Sequence, residues 1–244
     1  MDYTLQLTID SSDLEILKAA QQNIIIAKPV GGGSPNVSWL TIDPFAQNTI
    51  EWSEIYGLYA SNSSIQAGAK IYKVANVEVA DDGNTYPFKA TNTFGDPSPV
   101  PPVPNGTFAV NNVNDNPLYP YLTFGLTQSA TIGPMSVLNA PISAAVVPTM
   151  QAVTMTPLTS VWVWLESNLM SGTVITSVTS KRAIATYGDG VTTIGLKYSR
   201  SKGYFVPATA SGEFTKSKNY MLYDPLAADI KASNDDIQQL VSPR

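Results

Sequence analysis

Short runs of β-branched and aromatic residues, each stopped by proline, glycine or asparagine, constrain this chain more than any other feature. Such runs fit a pleated, half-buried surface and are interrupted too often for long helices. YTLQLTI (3–9) alternates apolar and polar residues with period two, as a strand with one buried face does. NIIIAKPV (23–30) holds three consecutive isoleucines and reads as a buried strand ended by Pro29 and the glycines at 31–33. NVSWLTI, NTIEWSEIYGLYAS and AKIYKVANVEVA continue the pattern, and a turn at Asp81-Asp82-Gly83-Asn84 predicts a hairpin into TYPFKA. Further on, YLTFGLTQSATI, SAAVVPTMQAVTMT, SVWVWLESN, SGTVITSVTS, GYFVPAT and KNYMLYDP read as strands. Gly188-Asp189-Gly190, between KRAIATY and VTTIGLKYS, predicts the clearest hairpin of the chain. One helix is expected, because Ser12 and Glu15 match a capping box and Leu14, Leu17 and Ala20 share a face. The fold class that follows is all-β: an antiparallel β-sandwich, as one unit or two packed halves, with one short N-terminal helix.

The segment GDPSPVPPVPNG (95–106) cannot be a central strand, since each proline lacks a ladder donor. It divides the chain into a β-rich half at 1–95 with a helix near 12–22, a proline-rich linker or loop at 96–106, and a second β-rich half at 107–225. A tail follows at 226–244, in which LAADIKASNDDIQQL predicts one or two helical turns. Charge is divided in a similar way. Residues 1–122 carry twelve acids and five lysines, a net of −7, whereas 123–244 carry nine bases and seven acids, a net of +2. Charged residues are 14% of the whole, below the roughly 25% of an ordinary soluble domain. With 43% hydrophobic residues the chain has enough apolar surface to fold, which argues against disorder.

Histidine and cysteine are both absent. Their absence removes Ser-His-Asp and Cys-His nucleophiles, zinc sites built on His or Cys, and any disulfide framework. The expectation is a protein that is not an enzyme and needs no cofactor. A carboxylate-pair hydrolase stays open in principle, with Glu51 and Glu54 or Asp81 and Asp82 as the pairs to weigh. The GGGS run at 31–34 lacks the Lys-Ser/Thr ending of a phosphate loop and precedes a strand, so it reads as a turn. Asp81-Asp82-Gly83-Asn84 and Gly188-Asp189-Gly190 lack the spaced acids of a calcium loop and read the same way. The net charge of −5 disfavours nucleic acid as a partner. Met1-Asp2-Tyr3-Thr4 opens with no basic and apolar leader, so no secretory signal is expected, and any release would follow cytoplasmic synthesis by a non-classical route.

Trp162 and Trp164 lie two apart and point to one sheet face, while Val161, Val163 and Leu165 make the other face apolar too. These tryptophans, with Trp39 and Trp52, read as core, sugar stacking or membrane contact being the alternative. The most suggestive region is 181–223. Lys181, Arg182, Lys197, Arg200, Lys202, Lys216 and Lys218 face only Asp189 and Glu213 there, interleaved with Tyr187, Tyr198, Tyr204, Phe205, Phe214, Tyr220 and Tyr223. Within it, Lys197, Tyr198, Arg200, Lys202, Tyr204 and Phe205 form the candidate binding loop. Cations beside aromatics suit anionic or zwitterionic headgroups, because lysine and arginine attract phosphate while Tyr and Phe settle at an interface. The bland alternative is a solvated sheet edge whose lysines discourage aggregation.

The segments SVWVWLESNLMSGTVITSV and LKYSRSKGYF, in a cysteine-free β-rich chain, resemble in style the small microbial β-sandwich lectins and membrane-binding cytolysins of the aegerolysin and actinoporin sort. The likeness covers about the second half of the chain and rests on no diagnostic motif, so no binding residue is carried over. It implies sugar or lipid-headgroup binding, peripheral contact with a membrane, and oligomers. The functional expectation is therefore a non-enzymatic binding protein, lectin-like or membrane-directed, with a self-assembling inclusion, fibre or shell component as the alternative. Either way a homo-oligomer is expected.

Overall fold

The computed structural model describes residues 1–208 and 219–225. The chain enters as β1 (Asp2–Thr8), passes through α1 (Ser11–Ala19) and continues as β2 (Asn23–Ala27) and β3 (Leu40–Ile42). Then come β4 (Gln47–Ser53), β5 (Tyr56–Ser61), β6 (Lys73–Val77), β7 (Thr85–Phe88) and β8 (Phe108–Asn112). A long β9 (Tyr121–Ile132) is followed by β10 (Met135–Pro141), β11 (Ala145–Pro148), β12 (Gln151–Met155) and β13 (Ser160–Glu166). The last strands described are β14 (Arg182–Thr186), β15 (Thr193–Ser199), β16 (Tyr204–Pro207) and β17 (Tyr220–Tyr223).

These strands make three sheets. Nine strands form the largest, along β16-β15-β1-β4-β9-β5-β6 with β10 and β11 also paired to β9. A five-stranded sheet runs β17-β14-β13-β2-β3, and β12-β8-β7 make a third. Period-two alternation sends Leu5, Leu7, Ile50, Leu58, Phe124 and Leu196 of the first sheet into one core. The second sheet meets them with Ile24, Ile26, Val161, Val163, Ala183 and Ala185. The third adds Phe88 and Phe108, whose rings lie 5.2 Å from Phe124 and 5.7 Å from Tyr56. The architecture is all-β and sandwich-like, with two departures from antiparallel pairing: β1 runs parallel to β15, and β7 to β8.

Strands from the two sides of residues 96–106 lie next to each other in both large sheets, β1 beside β15 and β2 beside β13. The proline-rich stretch is an extended segment laid along β7, where Thr85 and Ser98 exchange both backbone hydrogen bonds at 2.8 and 3.0 Å.

Several local expectations need correction. The Asp10 carbonyl accepts the Asp13 and Leu14 amides, so α1 starts at Ser11 and the Ser12–Glu15 capping box does not form. Gly188-Asp189-Gly190 does make a tight turn, closed by Gly188 and Val191 at 3.1 and 2.9 Å. The strands flanking it lie in different sheets, however, because Tyr187 drops into the core against Tyr3 and Trp52, at 4.9 and 5.1 Å. The Asp81–Asn84 turn likewise joins β6 and β7, which belong to different sheets. SGTVITSVTS forms no regular strand; its Ile175 covers Trp162 and Trp164 on the outer face of the five-stranded sheet. The helical turns expected at 226–244 lie outside the described residues.

The longest strand, β9, tolerates no side chain at Gly125, where a Cβ would lie 1.9 Å from the Ser143 carbonyl oxygen and 2.5 Å from the Tyr59 ring. That carbonyl already accepts the Tyr59 hydroxyl at 2.6 Å, so neither neighbour can retreat freely. Overpacking of this kind costs about 1–3 kcal/mol. Gly125→Ala should therefore unfold several degrees below the wild type in a calorimetric scan. Gly195→Ala, which meets only Ala208 at an ordinary 3.6 Å, should leave the midpoint nearly unchanged.

Candidate functional site

The candidate loop is the hairpin of β15 and β16, in which Ser199 pairs with Tyr204 and Tyr198 with Phe205. Its turn, Arg200-Ser201-Lys202-Gly203, is closed by the Gly203 and Lys202 amides donating to the Ser199 carbonyl, at 2.8 and 3.1 Å. Gly203 sits at φ +77°, a left-handed conformation that glycine adopts without a Cβ clash. Paired residues in antiparallel strands share a face. Tyr198 and Phe205 thus point inward together, ring centroids 5.8 Å apart, while Lys197 lies on the opposite face.

Phe205 is fully buried and belongs to the core, which corrects its expected place at a binding surface. Tyr198 is half-buried, and its hydroxyl pKa is raised by burial first and by Asp13 next, with Arg200 acting in the opposite direction. Tyr204 is also half-buried. Arg200 and Lys202 stand exposed on the turn, and Lys197 pairs with Asp10 at 2.9 Å. What the hairpin offers to solvent is a cationic tip with tyrosine at its base, not a row of aromatic rings. Lys181 pairs with Asp224 at 2.9 Å, Arg182 is buried, and Lys216, Lys218 and Phe214 lie outside the described residues.

All four tryptophans are buried, as their strand positions predict. Two of them enclose a centre that the sequence reading missed. Lys28 is 1% exposed, and its Nζ donates to Glu54 Oε1 and to the Tyr56 hydroxyl, each at 3.2 Å. The Tyr56 hydroxyl in turn donates to Glu54 Oε2 at 2.5 Å. The ammonium also lies 5.7, 5.6 and 5.2 Å from the ring centroids of Trp39, Trp52 and Tyr56. Trp39 is fixed by donating its indole N–H to the Gln128 carbonyl at 3.1 Å. The signal was present in phase: Lys28 follows Ile24 and Ile26 at period two and so falls on their core face.

Of the carboxylates weighed for hydrolysis, Glu54 is thus engaged by Lys28 and Tyr56, and Glu51 is exposed on β4. Asp82 accepts the Gly106 amide at 2.5 Å. Among the described residues no three acidic side chains converge as a metal site would need. The glycines at 31–33 form an exposed turn. Comparison with protein-family models, curated proteins and solved structures finds no match to this chain.

Burial outweighs the attraction of Glu54 and holds the Lys28 amine at about 8, below its ordinary 10.5. Between those values the folded chain binds fewer protons here than the unfolded chain, so this group makes stability rise with pH across that window. The gain ends near pH 10, where unfolded tyrosines ionise while Tyr56, its pKa raised chiefly by burial, does not. Urea titrations from about pH 8 to about pH 10 should show the wild type gaining stability relative to Lys28→Met. Parallel pH profiles for the two proteins would show that Lys28 is not held in this state.

Proposed function

We propose that this chain is a non-enzymatic binding protein that docks on anionic headgroups at a surface through the β15–β16 hairpin. The observation that carries the reading is the exposure of Arg200 and Lys202 together on a tight turn, on a molecule whose net charge is −5. Cations gathered on one projecting turn act as a local positive point within a negative field. Lys197 and Lys181, of the same basic region, are each half-exposed and in an ion pair. Tyr204 at the base of the turn suits the boundary between water and headgroups.

Co-sedimentation with phosphatidylcholine vesicles, with and without phosphatidylserine, tests this directly. Each basic residue near an anionic surface contributes about 1 kcal/mol, so Arg200→Glu/Lys202→Glu should reduce the bound fraction constant by about tenfold or more. Raised salt should weaken the wild type in the same direction. Equal sedimentation of both proteins, or no sedimentation of either, sinks the proposal.

A second reading, self-assembly, is favoured by a groove of about 340 Å³ on the nine-stranded sheet. Ile55, Val79 and Leu138 are exposed along it, at 56%, 66% and 74%, and Glu51 and Glu78 stand beside them. Its exposed apolar residues and acidic margin complement the cationic hairpin of a second copy. Sedimentation velocity at low salt should then show association that Leu138→Ser and Arg200→Glu each reduce. A monomer at every concentration would leave the headgroup reading alone.

A further inference from the structure

We propose that Arg182 forms the floor of an anion-binding pocket on the outer face of the five-stranded sheet. Its ligand class is a small hydroxylated molecule bearing a carboxylate or phosphate, an acidic sugar or a phosphorylated headgroup. This site does not depend on the hairpin, none of whose residues line it.

The local structure follows from the sheet register. Arg182 opens β14 directly opposite Tyr223 of β17, and Trp162 comes from the neighbouring β13. The guanidinium carbon lies 4.0 Å from the Tyr223 ring centroid and 4.5 Å from that of Trp162, and the two rings are near parallel at 25°. One terminal nitrogen donates to the Val178 carbonyl at 3.1 Å. The side chain is only 4% exposed, and its Nε has no hydrogen-bond partner. The irregular segment 175–179, which covers this face instead of joining the sheet, closes the space above it. The result is a pocket of about 370 Å³ lined by Ser34, Thr176, Ser177, Thr179, Arg182 and Tyr223 among others.

The charge balance is what points to an anion. The ion pairs among the described residues are Lys28 with Glu54, Lys181 with Asp224 and Lys197 with Asp10; Arg182 is in none of them. A buried cation without a counter-ion is costly, and aromatic faces offset part of that cost only. Among the described residues the two buried cations are thus treated differently: Lys28 is closed off by a carboxylate, whereas Arg182 is left with two rings, the Tyr223 hydroxyl, one carbonyl and a pocket. An oxyanion entering there would meet a planar donor fork set beside two rings, in surroundings drier than bulk water. The hydroxyls of Ser34, Thr176, Ser177 and Thr179 both donate and accept, which matches the hydroxyl groups of a sugar or headgroup. The volume is within the range of small-ligand sites.

The test uses the full chain titrated with N-acetylneuraminate, with inorganic phosphate and with lactose, read by calorimetry and tryptophan emission. Trp162 lies against the guanidinium, so a ligand that reaches Arg182 should change its emission. Saturable binding of at least one anion and none of lactose is expected. Neuraminate alone would assign an acidic sugar, and phosphate alone a phosphorylated ligand. Arg182→Lys, which keeps the charge but loses the fork, should weaken binding by about tenfold or more. Ser177→Ala/Thr179→Val should weaken it while leaving Arg182 in place, and this variant decides the matter if the arginine variant does not fold. Arg200→Glu/Lys202→Glu should bind as the wild type does, which separates this site from the hairpin. The proposal is overturned if neither anion binds, or if binding survives both pocket variants.

Discussion

Between the two large sheets sits an ammonium group from which water has been removed. Stripping water from such an ion costs several kcal/mol, and what offsets it at Lys28 is a carboxylate, a phenol and the faces of three rings. These partners are supplied by β4, β5, the corner between them and the approach to β3, so the fold must be assembled for the cost to be met. A slip of the β2 segment by one residue would turn Lys28 to the opposite face, leave Glu54 and Tyr56 facing Ala27 or Pro29, and place a lone charge elsewhere. Substituting apolar residues for a buried ion pair is often neutral for stability, so the pair is better read as a constraint on register than as a net gain in stability. In a chain with no disulfide to fix alignment, that is a substantial constraint.

How far the amino-acid sequence discloses this arrangement depends on the range of the interaction concerned. Alternation in YTLQLTI and the doubly apolar SVWVWLE are properties of a few neighbouring residues, and both strands form with the faces those patterns require. Turn signals are equally local, and Gly188-Asp189-Gly190 does reverse the chain. Whether the strands beyond a turn pair with each other is settled by distant partners: Thr193–Lys197 lie along β1, and Arg182–Ala185 along β17. SGTVITSVTS has strand composition but covers two tryptophans instead, a role visible only once the five-stranded sheet exists.

The candidate site follows the same rule. That residues 197–205 form a hairpin with cations at its turn was legible from the spacing of Tyr198, Arg200, Lys202 and Gly203. That Phe205 points inward was not, because the face of an edge strand is chosen by what lies beneath it, here Leu196 and Tyr198 with the core behind them. Lys181 and Arg182 are adjacent in sequence yet have opposite fates, one at the surface with Asp224 and the other under a pocket. Composition placed both in a basic cluster; strand alternation separated them.

The position of β1 has a consequence for the order in which the molecule can be made. β1 leaves the ribosome long before β15, yet it is an interior strand of the large sheet, held by β4 on one side and by β15 on the other. Its neighbour β2 pairs with β13 in the same delayed fashion. Loop closure across so much of the chain is slow. During synthesis, hydrophobic strands from the first part of the chain must therefore wait with unsatisfied edges until residues near 200 emerge. Completion of both large sheets thus waits for β13 and β15, and a nascent chain interrupted before them would expose the strand edges that chaperones shield and aggregates recruit.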